Sequence, residues 1–216
     1  MTYLINPYVF KKDSTLLTGL DTYYKFDSST LITDATWNSN TWTNNWTTYT
    51  SSWLVNWARI FDWANDYIDA PIRQWTTFTF AFWFKADLIS STWLILNNNR
   101  LAVYYNSIEK IQFDDFIDDI LVSANTYGDL DWHLVVCACD SWTANWSYLD
   151  IDNWTERLLD TRWTVAATVD LDIWRRTNWT TYFNWTLDWF WYWTRVLTTT
   201  EITELWNSWN WNQYPF

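Results

Sequence analysis

Carboxylate side chains are the groups best able to do chemistry in this chain. A retaining glycoside hydrolase needs two carboxylates about 5 Å apart, one on each side of the sugar bond. Asp150 and Asp152 come nearest to that arrangement, because residues two apart on a strand share one face. They run directly into the turn signal Asp152-Asn153-Trp154, so we interpret them as the solvated end of a strand. The sequence therefore predicts no catalytic residues and no enzyme.

The other reactive side chains indicate structural roles. His133 is the one histidine, so a Ser-His-Asp triad has a single possible centre, and no nucleophile motif accompanies it. Cys137 and Cys139 lie two apart in an apolar run, which predicts two unpaired, buried thiols on one side of a strand. One histidine and two such cysteines do not make a zinc site. The acidic run DDFIDD over 114–119 is typical of a solvated loop.

The net charge limits the partners that the chain can bind. With 216 residues, a formal charge of -12 and a pI near 4.2, the chain lacks the basic face that nucleic acid or anionic lipid requires. It contains no window of 18 uninterrupted apolar residues, and its first 20 residues lack the regions of a signal peptide. We predict no membrane insertion and favour a virion, a phage particle or an extracellular surface as its location.

Tryptophan and glycine occur in unusual proportions. The chain has 23 Trp and 2 Gly, whereas ordinary usage of about 7% would give roughly 15 Gly. Many Trp follow Asn, Asp or Ser in turn-like dipeptides, where glycine normally supplies the positive φ that hairpin turns require. These dipeptides end at Trp46, Trp57, Trp63, Trp142, Trp146, Trp154, Trp179 and Trp185.

These positions suggest a misread codon. UGA is read as Trp in one known reassignment and as Gly in another, found in some uncultivated bacteria. Trp83, Trp132, Trp193 and Trp206 lie in apolar periodic runs and are interpreted as genuine. Our hypothesis is that the other 19 of the 23 Trp are glycines in the native protein. The alternative is a surface of indoles that stack on sugars or bases, which needs a Trp at nearly every turn.

Short apolar runs separated by turn residues predict an all-β fold. The clearest strands are expected at 76–85, 94–97, 101–105, 132–139, 147–151, 164–173 and 183–193. In the first of them, the four Phe of FTFAFWF share one face while Ala81 and Trp83 lie on the other. The Asn- and Thr-rich stretch 37–50 is predicted to be a loop. Thr198 and Glu201 have capping-box spacing, which predicts a short helix.

Five stretches resemble a known family when they are taken in chain order. They are LLTGLDTYYKFD (16–27), DATWNSNTWTNNWT (34–47), WLVNWARIFDWANDYID (53–69) with FTFAFWFKA (78–86), DWHLVVCACD (131–140) with YLDIDNW (148–154), and LDIWRR (171–176) with FNWTLDWFWYWTRVLTTTEITELWNSW (183–209). With glycine restored, the chain resembles the laminin-G type domains of the concanavalin A-like lectin and glucanase superfamily over residues 20–211. The last stretch is similar to that family's terminal strand and short helix.

The resemblance implies a two-sheet antiparallel jelly-roll sandwich with one short C-terminal helix. Ligands of the family bind in rim loops or on the concave sheet, often as carbohydrate and sometimes with calcium. By family location, the candidate calcium ligands are Asp62, Asn65, Asp66 and Asp188, whose oxygens suit that hard cation. These residues are equally able to cap turns or to accept from backbone amides.

One domain is expected over 21–211, with a leader or linker at 1–20 and a tail at 212–216. The predicted function is non-catalytic binding, in which carbohydrate recognition or adhesion is favoured and a glycan or surface polysaccharide is the partner. The alternative is a structural domain of a phage tail, a virion or a large surface protein that contacts other structural proteins. A glycoside hydrolase with divergent carboxylates is the third interpretation.

Overall fold

The computed structural model describes residues 14–26, 33–36, 38–40, 42–45, 47–50, 58–62, 66–73, 76–86, 93–97, 101–114, 120–140, 146–161, 170–173 and 184–207. In this part of the chain a 3-10 helix at Thr15–Leu17 is followed by fifteen strands and by helix α1 at Thr199–Asn207. The strands are β1 (Leu20–Tyr24), β2 (Thr43–Asn45), β3 (Thr48–Thr50), β4 (Ala58–Asp62), β5 (Tyr67–Arg73), β6 (Thr77–Ala86), β7 (Trp93–Asn97), β8 (Ala102–Tyr105), β9 (Ile111–Asp114), β10 (Ile120–Val122), β11 (Trp132–Asp140), β12 (Trp146–Ile151), β13 (Glu156–Asp160), β14 (Asp170–Ile173) and β15 (Asn184–Trp193).

The strands pair antiparallel in two sheets. Sheet A has the order β13-β12-β11-β6-β15-β4-β3, and β1 also pairs with β15. Sheet B has the order β10-β9-β8-β7-β14-β5-β2. The chain passes repeatedly between the sheets, for example from β5 in sheet B to β6 in sheet A and on to β7 in sheet B. The predicted all-β, two-sheet antiparallel sandwich with one short helix is confirmed.

Residue alternation along β6 explains how sheet A is buried on both faces. The four phenylalanines of β6 belong to the inner core, the cluster of buried side chains between the two sheets. Ala81 and Trp83 belong to a second cluster on the outer face of sheet A. Phe113 of β9 joins the inner core from sheet B, with its ring edge-on to that of Phe80. A central strand buried on both faces needs apolar residues at nearly every position, and the run over 78–84 provides them.

Helix α1 and the 3-10 helix cover the outer face of sheet A. Trp206 of α1 stacks on Trp83 with ring centroids 5.4 Å apart. Trp193 donates its indole N–H to the Leu16 carbonyl at 2.7 Å. Residues 14–20 therefore belong to the folded domain, so the leader predicted at 1–20 is too long, and residues 1–13 lie outside the described part. The helix itself has nine residues, too few to cross a bilayer, and the described chain has no longer one.

Most of the predicted strands are confirmed to within one or two residues. They correspond to β6, β7, β8, β11, β12 and β15, while only the end of the predicted strand 164–173 is described, as β14. The loop predicted over 37–50 is wrong in part, because it contains β2 and β3. Both are edge strands, which pair on one side only and tolerate polar residues. Cys137 and Cys139 are buried and form no disulfide, as predicted.

The described tryptophans do not all behave as the glycine hypothesis requires. The four interpreted as genuine all pack in the cluster on the outer face of sheet A. Trp146 and Trp185, which the dipeptide pattern placed in turns, are strand residues of β12 and β15. Trp191 is buried, and its ring is stacked on that of Tyr23 with centroids 5.4 Å apart. The hypothesis gains no support at these three positions.

Two other indoles fit their surroundings poorly. Trp189 has a φ of 39° in a bulge of β15. The Trp42 ring centroid lies 3.6 Å from that of Tyr24 at an angle of 43°, whereas aromatic pairs ordinarily keep about 4.5–7 Å. Both indole N–H groups are buried and have no hydrogen-bond partner among the described residues. Crowding and lost hydrogen bonds are expected where a large side chain occupies the place of a small one.

Replacing Trp154 with glycine is expected to raise the free energy of unfolding by up to about 1 kcal/mol, after the greater freedom of glycine in the unfolded chain is counted. Asp152, Asn153 and Trp154 form the predicted hairpin tip, with φ values of 52, 50 and 72°. Such a left-handed backbone costs a residue with a β-carbon roughly 1–2 kcal/mol and costs glycine nothing. The stack of Arg157 on the exposed Trp154 ring, worth about 0.5–1 kcal/mol, offsets part of the gain. Urea unfolding of both proteins measures the difference.

Thr155→Gly is the matched control for this substitution. Thr155 is the next residue and is also exposed, but its φ is not positive. Glycine there is expected to lower the free energy of unfolding by about 0.5–1 kcal/mol, because the unfolded chain gains conformational freedom. Similar losses in both variants would contradict the inference that Trp154 is strained.

Candidate functional site

The outer face of sheet B differs from the outer face of sheet A. Helix α1 and the 3-10 helix cover sheet A, whereas neither core cluster of the described residues extends to the outside of sheet B. Strand alternation shows which residues lie there. Val103 and Phe113 belong to the inner core. Their neighbours Tyr104 and Asp114 therefore lie on the outer face.

Polar residue types form a row across this face. The strand register places five polar residues at one level, Thr43, Asp69, Asp172, Asn97 and Asp114, together with Ala102, which is fully buried. Neighbouring strands lie about 4.8 Å apart, so the positions from Asp69 to Asp114 extend over roughly 19 Å. The register places Asp69 and Asp172 directly opposite each other.

Aromatic and amide residues flank this row. Tyr104 lies directly opposite Gln112, and both side chains are half-buried. The Asn106 amide donates to Gln112 Oε1 at 3.2 Å and so orients it. Nearer the other edge of the sheet, half-buried Tyr67 lies opposite half-buried Asn45. Tyrosine offers an apolar ring with a hydroxyl, and amides offer donors and acceptors, so the face suits a ligand rich in hydroxyl groups.

Asp150 and Asp152 have structural roles. Asp150 is fully buried, its Oδ1 accepts from Trp154 N–H at 3.2 Å, and its Oδ2 lies 3.6 Å from Arg157 Nη1. Burial raises the pKa of Asp150, an effect that the Trp154 amide and Arg157 reduce. Asp152 lies at the hairpin tip and accepts from Leu134 N–H at 2.9 Å. The prediction of a solvated strand end is therefore wrong for Asp150, because protein groups surround its carboxylate.

The register separates two of the predicted calcium ligands, Asp62 and Asp188. Asp62 ends β4 opposite Asn184, whereas Asp188 is four residues farther along β15. Four strand residues span about 13 Å, which two short carboxylates cannot bridge to one ion. Asp188 is buried and accepts from the next backbone amide at 2.9 Å, and Asp66 is also buried. Asn65 and the Asp62 side chain lie outside the described residues, among which no group of three metal-binding side chains occurs.

Sequence reasoning missed two features of this structure. The outer-face residues Tyr104 and Gln112 follow the alternation of buried and half-buried positions in β8 and β9, which a period-two pattern could have revealed. The sequence predicts a structural role for His133, and its side chain is buried. Its ring nitrogens, however, contact the carboxylates of Asp152 and Asp129 at 2.7 and 2.8 Å. No sequence signal pairs His133 with a hairpin tip formed later in the chain.

Solved structures resemble this chain, although no protein-family model and no curated protein sequence matches it. A Trypanosoma rangeli sialidase in complex with sialic acid matches 91% of this chain, with a TM-score of 0.72 and 13% identity. The binding domain of botulinum neurotoxin serotype D/C also matches 91%, with a TM-score of 0.70 and 10% identity. This chain covers 34% of the sialidase and 53% of the toxin domain, so it spans only part of either.

A third structure is matched over nearly its whole length. It is domain 4 of AbnA, a GH43 extracellular arabinanase from Geobacillus stearothermophilus, in complex with arabinotriose. The match covers 97% of that domain and 86% of this chain, with a TM-score of 0.67 and 14% identity. Identities this low show a shared β-sandwich fold alone, so the laminin-G resemblance stays a prediction.

Proposed function

We propose that this chain is a non-catalytic carbohydrate-binding domain of the laminin-G type, with its ligand lying across the outer face of sheet B. The observation that carries the proposal is the row of polar positions that the strand register places on the outer face of sheet B, flanked by the half-buried Tyr67 and Tyr104. The match to nearly all of an arabinanase domain solved with arabinotriose supports it. The net charge of -12 favours a neutral glycan over an anionic one.

The surroundings of Asp150 and Asp152 favour binding over hydrolysis. An acid or a nucleophile must reach the sugar bond. Asp150 is fully buried beside Arg157, and Asp152 holds His133 and the Leu134 amide. Both carboxylates are thus engaged by protein groups, which supports a domain that binds sugar without cleaving it.

Tyr104→Ala is expected to weaken glycan binding at least tenfold, about 1.4 kcal/mol, because it removes the aromatic ring beside the polar row. Isothermal titration calorimetry with arabinotriose, after a screen of neutral oligosaccharides, measures the affinity. The matched control is Tyr49→Ala, which removes an exposed tyrosine from β3 of sheet A. It is expected to bind as the parent protein does. Equal weakening in both variants, or no binding across the screen, would contradict the proposal.

A glycoside hydrolase is the second candidate because Asp69 and Asp172 are opposed across two strands. Opposite residues of an antiparallel pair have Cα atoms about 4.5–5.5 Å apart, so the register brings two acidic residues to one place on the sheet. A reducing-sugar assay on neutral polysaccharides decides between the two functions. Activity that disappears in an Asp69→Asn, Asp172→Asn double variant would establish the hydrolase and overturn the non-catalytic proposal.

A further inference from the structure

His133 is placed between two carboxylates at one end of the sandwich. Its Nδ1 lies 2.7 Å from Asp152 Oδ2, and its Nε2 lies 2.8 Å from Asp129 Oδ1. The His133 side chain is buried, with 8% of its surface exposed. A neutral imidazole has one N–H, so it satisfies one carboxylate only, whereas the imidazolium donates from both nitrogens. The two contacts therefore favour the protonated ring.

The two carboxylates belong to different loops. Asp152 begins the β12–β13 hairpin tip, where its Oδ1 accepts from Leu134 N–H at 2.9 Å and its amide donates to the Leu134 carbonyl at 3.0 Å. Asp129 lies in the β10–β11 loop, and its Oδ1 accepts from Asp131 N–H at 3.0 Å. The hairpin tip therefore has backbone bonds of its own to β11, whereas Asp129 is joined to the strand through His133.

The first half of the β10–β11 loop has a separate anchor. Glu156 of β13 accepts from Asn125 N–H at 3.1 Å, from the Tyr127 hydroxyl at 3.0 Å and from Ala124 N–H. The second half, residues 128–131, is here called the rim segment. Leu130 in this segment is 48% exposed and has a φ of 66°, an unfavourable backbone for leucine. Asp129 brackets Leu130 with the hydrogen bond from Asp131 N–H, and its contact with His133 joins this turn to β11.

We propose that protonated His133 is a pH-dependent clip that holds the rim segment in place and releases it when the imidazole loses its proton. The proposal goes beyond carbohydrate binding and does not rest on it, because the rim segment is separate from the polar row on sheet B. Release affects residues 128–131 and leaves residues 124–127 held by Glu156.

The groups around the ring favour its protonation. Burial lowers the pKa of His133, but the hydrogen bonds and charges of Asp152 and Asp129 outweigh burial and raise the pKa above its ordinary value. The Tyr127 ring packs edge-on against the imidazole with centroids 5.0 Å apart, and Phe84 packs from β6 at 5.6 Å. Neither ring carries a charge that opposes the imidazolium.

Other charged groups lie farther out and are mostly acidic. Glu156 stands behind Tyr127, and Glu109 lies against Gly128. Lys85 of β6 is the cation nearest in register, opposite Trp132. Its strand places it on the other face from Phe84, which contacts the imidazole. Asp152 and Asp129 are therefore the charged groups that directly contact the ring.

The pH range follows from the direction of each shift. A histidine whose pKa is raised by folding stabilises the folded state fully below its ordinary pKa, and this contribution is lost as pH rises through the raised value. Burial raises the pKa of Asp129, but the hydrogen bond from His133 and other contacts outweigh burial and lower the pKa overall. Asp129 therefore stabilises the folded state except in acid, where its carboxylate becomes protonated. The rim segment is therefore held between the pH at which Asp129 becomes protonated and the pH at which His133 loses its proton.

Because His133 is the one histidine of the chain, its ring can be titrated without ambiguity in the full chain by ¹⁵N NMR. We expect both ring nitrogens to be protonated at the ordinary histidine pKa of about 6.5, with a midpoint above it. Asp129→Asn is expected to lower the midpoint by about one unit. Asp131→Asn, which removes an exposed carboxylate of the same segment, is the control and is expected to shift it far less. A neutral ring at pH 6.5, or equal shifts in the two variants, overturns the proposal.

Hydrogen exchange tests the release itself. Across the His133 midpoint, amide protection of the rim segment, corrected for intrinsic exchange, is expected to fall at least tenfold. Protection of residues 124–127 is expected to stay constant because Glu156 holds them. In His133→Gln the rim segment is expected to be unprotected at every pH. Constant protection of the rim segment through the midpoint of the parent protein overturns the proposal, whatever the result for sugar binding.

Discussion

Glu201→Gln is expected to lower the free energy of unfolding by about 3 kcal/mol at pH 7. Glu201 is buried in the first turn of α1, where Arg195 Nη1 and Nη2 donate to its carboxylate at 2.9 and 2.7 Å. Thr15 Oγ1 donates to it at 2.6 Å and Thr198 N–H at 2.8 Å. Removing one partner of a buried ion pair costs about 3–5 kcal/mol, because the other charge loses its compensation. Glutamine keeps one acceptor oxygen, which places the loss at the lower end.

The effect is large because this pair joins distant parts of the chain. Arg195 also donates to the carbonyls of Thr15 and Thr18, so it connects the 3-10 helix to α1 across 180 residues of sequence. Gly19 permits that approach, since its φ is 70° and a β-carbon there would lie 3.2 Å from Arg195 Cγ. Losing the pair loosens both elements that cover the outer face of sheet A.

The same pair makes stability depend on pH. Burial raises the pKa of Glu201, but hydrogen bonds from Arg195, Thr15 and Thr198 outweigh it and lower the pKa to about 2. A carboxylate with a depressed pKa stabilises the folded state above its ordinary pKa of 4.5, and this contribution is lost as pH falls through about 2. Urea unfolding from pH 2 to 7 should show this loss in the parent protein and a flatter profile in Glu201→Gln.

Glu204→Gln is the control, because it removes a half-buried carboxylate from the same helix three residues later. It is expected to change the free energy of unfolding by less than about 0.5 kcal/mol. If the control lost as much as Glu201→Gln, the cause would be the charge of the helix and not the pair with Arg195.

The elements that sequence predicts best are those with the strongest periodicity. Strands β6 and β11 form the middle of sheet A and are buried on both faces, so their apolar runs are long and distinct. The edge strands β2 and β3 carry Thr and Asn, residues that also favour turns, and the stretch containing them was predicted as a loop.

The candidate site could not be predicted because it depends on register. Asp69, Asp172 and Asn97 are brought to one level by three strands that are distant in sequence. A shift of one residue in any of these pairings would move its side chains to the opposite face. The Glu201 capping box is local and was predicted, whereas Arg195 acquires its carbonyl partners only in the tertiary structure.

Trp83→Ala is expected to lower the free energy of unfolding by about 4 kcal/mol, which lies within the range found for large-to-small changes of buried aromatic residues. Trp83 is fully buried in β6, and its ring stacks on Trp206 of α1. The substitution removes the side chain on which the helix packs. The control is Trp132→Ala, because Trp132 packs at the margin of the same cluster and is half-buried. Trp132→Ala is expected to lower the free energy of unfolding by less than Trp83→Ala does. A larger decrease in Trp132→Ala would contradict this packing.

Loss of the indole is expected to destabilise the fold at Trp83 and to stabilise it at Trp154, and this difference tests the glycine hypothesis. A genuine tryptophan is expected to stabilise the fold, as Trp83 does. Trp154 has a φ of 72°, a backbone conformation that favours glycine, so its removal is expected to stabilise the fold. Peptide mass spectrometry of the natively produced protein across residues 141–154 tests this directly. The glycine hypothesis expects glycine at 142, 146 and 154, although Trp146 is a strand residue that stacks on Tyr148. Tryptophan at 154 would instead mean that the hairpin tip keeps its strain and that Arg157 holds an exposed indole in place.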